Sequence, residues 1–94
     1  MSTAQNEHPN LPNEFRADFA RQGINGRWKL FYSKDRDMNI LRMQPGIWTE
    51  LSPRATTRHI KAEAKIQGVT DLTGPSFDDV LLCVMMTKGK RIMP

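Results

Sequence analysis

The chain has a single cysteine, Cys83, so no intrachain disulfide staples it. That thiol lies in the apolar run VLLCVMM, where a small buried hydrophobe is expected. A reactive thiolate needs an electropositive, partly exposed setting, which its sequence neighbours do not supply. Histidine is scarce too: His8 falls near the start and His59 in a charged stretch. So few ligands leave little from which to assemble a zinc site. Asp78-Asp79 beside Cys83 is a thin candidate, and the two acids read better as favourable charges at an element start or in a turn. Asp35-Arg36-Asp37 lacks the later Gly and Glu of a calcium loop. No GxSxG is present, and the glycines form no phosphate-cradling motif. No apolar run approaches membrane-spanning length, and MSTAQNEHPN has no apolar h-region. These absences set the expectations: not an enzyme, no cofactor, no metal, no membrane partner, and a reducing cytoplasmic setting.

What is present fits one small domain. Ninety-four residues leave little room for a deep cleft. Hydrophobic residues make up 38% of the chain, sparse enough that partner contacts or self-association are expected to add burial. Fourteen basic side chains against 10 acidic give a net charge of +4, which favours an acidic or polyanionic partner mildly.

Residues 1–10 read as a flexible tail and 11–94 as a single α+β domain. LPNEFRADFARQG predicts a short N-terminal helix: Pro12 and Glu14 suit its first turn, Phe15 and Phe19 share a face, and Gly23 suits its stop. Asn25-Gly26 is a turn signal, after which Trp28, Leu30 and Tyr32 alternate with Lys29 and Phe31 as in a strand. KDRD (34–37) has hairpin length, and MNILRM reads as the returning strand. Pro45-Gly46 suits a type II turn into a third strand, IWTEL (47–51). Short links between three strands imply an antiparallel meander. SPRATT (52–57) reads as a loop.

RHIKAEAKIQG (58–68) carries opposed signals. Ala and Lys favour helix, but only by tenths of a kcal/mol per residue. In a strand, Ile60, Ala62, Ala64 and Ile66 all face one way; a helix spreads them over two sides. Exposing half of them costs about 25 cal/mol per Å² of apolar surface, so the pattern predicts a half-buried strand with Gly68 as a bulge. Trp28 or Phe19 is then expected to pack over Ala62 and Ala64. FDDVLLCVMMTKGKRIMP is balanced. Ser76 and Asp79 have capping-box spacing and Gly89 suits a helix stop, while TKGKR reads as a hairpin turn into a last strand, RIM. An apolar sequence on every side favours a strand buried on both faces, covered by a closed barrel, a second layer or a homodimer mate through 80–86. The fold expected is an N-terminal helix packed on a curved five- or six-stranded antiparallel sheet, with partial closure into a barrel as one form.

GINGRWKLFYS resembles the start of the first strand in lipocalin-like barrels, where a Gly-x-Trp follows a short helix. Gly26 and Trp28 carry the match, with Arg91 in the place of the arginine that caps the tryptophan. The resemblance implies a barrel around an apolar ligand.

The stronger functional signal is basic. Arg54, Arg58, Lys61 and Lys65 fall within twelve residues, and Lys88, Lys90 and Arg91 form a second cluster. Pairing of the last strand near 58–67 would merge them, with Lys29 alongside, into a face that grips phosphates without reading sequence. Trp48 or Phe31 beside it could stack on bases. The expected function is a binding or regulatory protein that docks this basic face onto nucleic acid or a nucleoprotein complex. The competing readings are a protein-directed inhibitor or adaptor using Trp28, Tyr32 and Trp48, a small apolar-ligand binder, and a solvated surface whose charges only keep the chain dispersed.

Overall fold

In the computed structural model, residues 11–17, 21–22, 27–43, 46–70, 72 and 75–93 are described. The expected tail, Phe19, Gly23, the Asn25-Gly26 turn and Pro45 lie outside them. Strand β1 is Arg21–Gln22, β2 Trp28–Ser33, β3 Met38–Met43 and β4 Ile47–Leu51; helices α1 (Pro53–Gln67) and α2 (Pro75–Lys88) follow, then β5 (Lys90–Ile92). The strands lie side by side in chain order, every pair antiparallel. Among the described residues the sheet is thus an open one of four strands of three residues or more, with the two-residue β1 beside β2.

The strands β2, β3 and β4 lie where alternation and turn chemistry place them. Residues 34–37 close the first hairpin, where Asp37 takes a left-handed backbone (φ 53°) and its carboxylate accepts from the Tyr32 hydroxyl. Asp is among the few non-glycine residues that adopt this conformation readily.

Elsewhere the structure corrects the sequence reading. No helix precedes the strands among the described residues: 11–17 runs without regular structure and is pinned by hydrogen bonds. The Phe15 amide donates to Thr57 Oγ1 (2.7 Å), the Ala17 amide to Asn39 Oδ1 (3.0 Å), and the Tyr32 amide to the Ala17 carbonyl (3.1 Å). Phe15 does pack inward, edge-on to Phe77 with ring centroids 5.7 Å apart. The barrel form fails as well, because β1 and β5 are opposite edges of an open sheet.

SPRATT and RHIKAEAKIQ are not loop and strand but one helix, α1. Ser52 caps it, its hydroxyl accepting from the Ala55 amide at 3.3 Å, and Pro53 opens it without losing a needed N–H. Gly68 ends it in the left-handed conformation (φ 73°), its N–H turned back to the carbonyls of Ala64 and Lys65. The buried positions are Pro53, Thr56, Thr57, Ile60 and Ala64, a helical stripe in which two members are threonines. Their hydroxyls bond back to the carbonyls of Ser52 (2.7 Å) and Pro53 (2.9 Å), so they enter the core satisfied. Ala62 and Ile66 face outward, Ile66 at 79% exposure, so no aromatic packs over an Ala62–Ala64 floor.

Residues 75–88 are helix, not strand. Phe77, Val80, Leu81, Val84 and Met85 form its buried stripe. Its remaining apolar residues are there because α2 touches α1 as well as β3 and β4; Leu82 and Cys83 are half-buried and Met86 is exposed. The apolar surplus that pointed to a dimer mate is largely absorbed within the chain. Each large side chain buried in this way contributes about 1.5–3 kcal/mol.

The core joins both helices to one side of the sheet. It contains Leu30 and Leu41, with Trp28, Tyr32, Met43 and Leu51 packed against it. Strand alternation and the pairings Leu30↔Leu41 and Leu41↔Thr49 put these residues on a common face. No helix of the described residues is long and apolar enough to cross a membrane.

Candidate nucleic-acid interface

The other sheet face is built by the intervening residues. Register sets Lys29 beside Arg42, Arg42 beside Trp48, and Trp48 beside Ile92 across four strands; one step along, Phe31 pairs with Ile40, Ile40 with Glu50, and Glu50 with Lys90. The core cluster includes none of these residues: among the described residues both helices pack on the other side of the sheet, and on this face Ile40 (4% exposed) and Glu50 are buried among their neighbours while Arg42 and Lys90 reach solvent. Phe31 and Trp48 are half-buried, while Arg42 and Lys90 are exposed. The Arg42 guanidinium lies over the Trp48 ring, 4.5 Å from its centroid. A planar cation held on an indole gives a flat, positively charged step that exposes one guanidinium face.

The one acid in this array is neutralised in place. Glu50 is 9% exposed, and Arg36 donates to its Oε1 from both Nε (2.9 Å) and Nη2 (2.6 Å). Burying a lone carboxylate would be costly, and the bifurcated arginine contact offsets that cost while leaving Lys29, Arg42 and Lys90 to set the sign of the face. Sequence reading singled out Lys29, Phe31, Trp48 and Lys90 but missed Arg42 and the Arg36–Glu50 pair. Arg42 alternates with Leu41 in MNILRM, so its outward side was legible; its position over Trp48 needed the β3–β4 register.

The two basic clusters do not merge into one sheet face. Arg54, Arg58, Lys61 and Lys65 lie on α1, in the layer behind the sheet. Their spacing of four, three and four residues aligns them as one helical stripe, a stronger alignment than a strand would give. Arg54 donates to Glu14 Oε2 at 3.1 Å, and this contact, with a second from Arg16, holds the Glu14 carboxyl below its usual range. Lys88 ends α2. It and Arg58 both act on His59, whose pKa is lowered first by burial and then by these two cations. That is where the clusters approach each other. Lys90 belongs to the uncovered sheet face opposite Glu50, whereas Arg91 pairs with Thr49 on the helix side.

The three aromatics of the adaptor reading divide likewise. Trp28 and Tyr32 pack against the core, and Trp48 sits on the opposite face. Cys83 is a free, half-buried thiol. No group of three His, Cys, Asp or Glu side chains among the described residues is placed to hold a metal ion. No protein-family model matches the chain, and neither a curated protein nor a solved structure shows significant similarity to it.

Proposed function

We propose that the chain is a non-enzymatic binding protein whose uncovered sheet face takes single-stranded nucleic acid. The observation that carries this reading is the Arg42–Trp48 step beside Phe31, bordered by Lys29 and Lys90 on a face that no helix of the described residues covers. Bases stack on aromatic rings and on guanidinium planes, and lysines track the phosphates. A base laid on Arg42 would make a three-layer stack of base, guanidinium and indole. Duplex is disfavoured because its bases are already stacked on one another. The α1 stripe attracts the same polyanion from a distance without touching the bases.

The test is retardation of labelled single-stranded DNA and RNA oligonucleotides by the full chain across a salt series, with duplex of the same sequence as control. Single strands should bind at low salt, and affinity should fall steeply as salt rises. No binding at low salt, or preference for duplex, would overturn the reading.

A further inference from the structure

A hollow opens on the helix side of the sheet, between β3, β4, β5 and the end of α2. It has a volume of about 200 Å³ and is lined by Leu41, Met43, Ile47, Thr49, Met86 and Arg91. Two of its walls, Ile47 and Met86, are exposed large hydrophobic side chains at 40% and 54%. Thr49 is only 4% exposed, yet its buried Oγ1 has no hydrogen-bond partner among the described residues. Buried hydroxyls are normally satisfied, and leaving one unpaired is costly. Arg91 stands directly across the β4–β5 ladder from Thr49, on the same face, and so brings a permanent cation to the hollow.

We infer that this hollow is a binding site for a short-chain carboxylate, its hydrocarbon among Leu41, Met43, Ile47 and Met86, its carboxylate on Arg91, with Thr49 as the nearby hydroxyl. The size fits: an apolar cavity of about 150 Å³ accommodates benzene, so this one takes a chain of about five or six carbons. The charge fits as well, since an arginine fork pairs with a carboxylate through two parallel hydrogen bonds. The site is separate from the uncovered sheet face, because Arg91 and Lys90 point to opposite sides of β5.

The probe is hexanoate, added to the isotopically labelled full chain and followed by amide chemical shifts, with acetate and hexanol as controls. Hexanoate should give saturable shifts centred on Thr49, Met86 and Arg91. Acetate lacks the chain and hexanol lacks the charge, so each should bind at least about tenfold more weakly, the equivalent of one lost charge-assisted contact or of the apolar burial. Arg91→Gln, at an exposed position that leaves the fold intact, should lower hexanoate affinity by a similar factor and abolish its advantage over hexanol. Absence of saturable shifts, equal response to hexanol, or unchanged affinity in Arg91→Gln would each overturn the assignment.

Discussion

Asn39 on β3 donates from Nδ2 to Thr56 Oγ1 on α1 at 3.0 Å, and with the same group to the Phe15 carbonyl at 2.9 Å. Its Oδ1 accepts from the Ala17 amide. One fully buried amide therefore ties the sheet, the first helix and the irregular 11–17 segment together. Thr56 passes the connection to the Ser52 carbonyl at the helix start.

Asn39→Leu should accordingly destabilise the fold by at least about 2 kcal/mol, because it leaves the Ala17 amide and the Phe15 carbonyl without these partners. Urea denaturation would show a lower midpoint. If the midpoint of Asn39→Leu equals that of the parent chain, this hub does not organise the fold.

The same residue shows why part of the fold was illegible. Asn39 sits in a strand, MNILRM, whose boundaries alternation gives correctly, but nothing local says that it is buried at a junction. The error at 58–67 has a related cause. Weighing only Ile60, Ala62, Ala64 and Ile66 made strand cheaper than helix. The true buried stripe starts at Pro53 and includes Thr56 and Thr57, polar residues made acceptable by bonding back to their own helix. The capping residues Ser52 and Gly68 were in plain view, each read instead as part of a loop or bulge. Residues 80–86, VLLCVMM, misled in the opposite sense: an all-apolar segment is ambiguous between a strand and a helix with two buried sides. Of the candidate site, residue types and outward faces could be read along the chain; register, and hence the Arg42–Trp48 stack, could not.

Two glycines should respond differently to alanine. Gly68 has φ of 73° and open space where a Cβ would go, so Gly68→Ala should cost about 1 kcal/mol from backbone conformation alone, and Gly68→Asn less. At Gly89 the obstacle is contact: a Cβ would collide with the Met85 carbonyl oxygen and come within 2.9 Å of Thr49 Cβ. Gly89→Ala should cost about 1–3 kcal/mol, and Asn should offer no relief there. Thermal melts of the four variants check the contrast. Equal rescue by Asn at both positions would show that neither explanation separates them.

The sheet face and the α1 stripe make distinguishable contributions to polyanion binding. Trp48→Ala removes the indole that holds the Arg42 guanidinium flat for the base and should weaken single-strand binding by about 1–2 kcal/mol, the value of a partly desolvated cation–π contact, with little change in salt slope. The Arg58→Glu, Lys61→Glu pair should mainly slow association and flatten the salt dependence. Comparing both variants over a salt series gives the answer. A lethal effect of the α1 pair with a silent Trp48→Ala would move the interface to the helix.

His59 should make the fold sensitive to mild acid. Burial, then Arg58 and Lys88, lowers its pKa below the ordinary 6.5, so the folded chain resists protonating it. In the unfolded chain the imidazole takes up its proton near the ordinary value. The unfolded state therefore binds more protons in the window just below pH 6.5, and stability must rise with pH across it. Stability is full above that window, declines as pH falls toward the lowered folded value, and then levels off with respect to this group. Glu14 acts separately: its carboxyl titrates from a value already below the ordinary 4.5, and its contribution is lost only as pH falls through that lower range. His59→Gln should remove the upper slope and leave the lower one. Urea midpoints of parent and variant, measured at intervals between neutral pH and the acid limit, test this directly. An unchanged upper slope in His59→Gln would assign that proton uptake to another group.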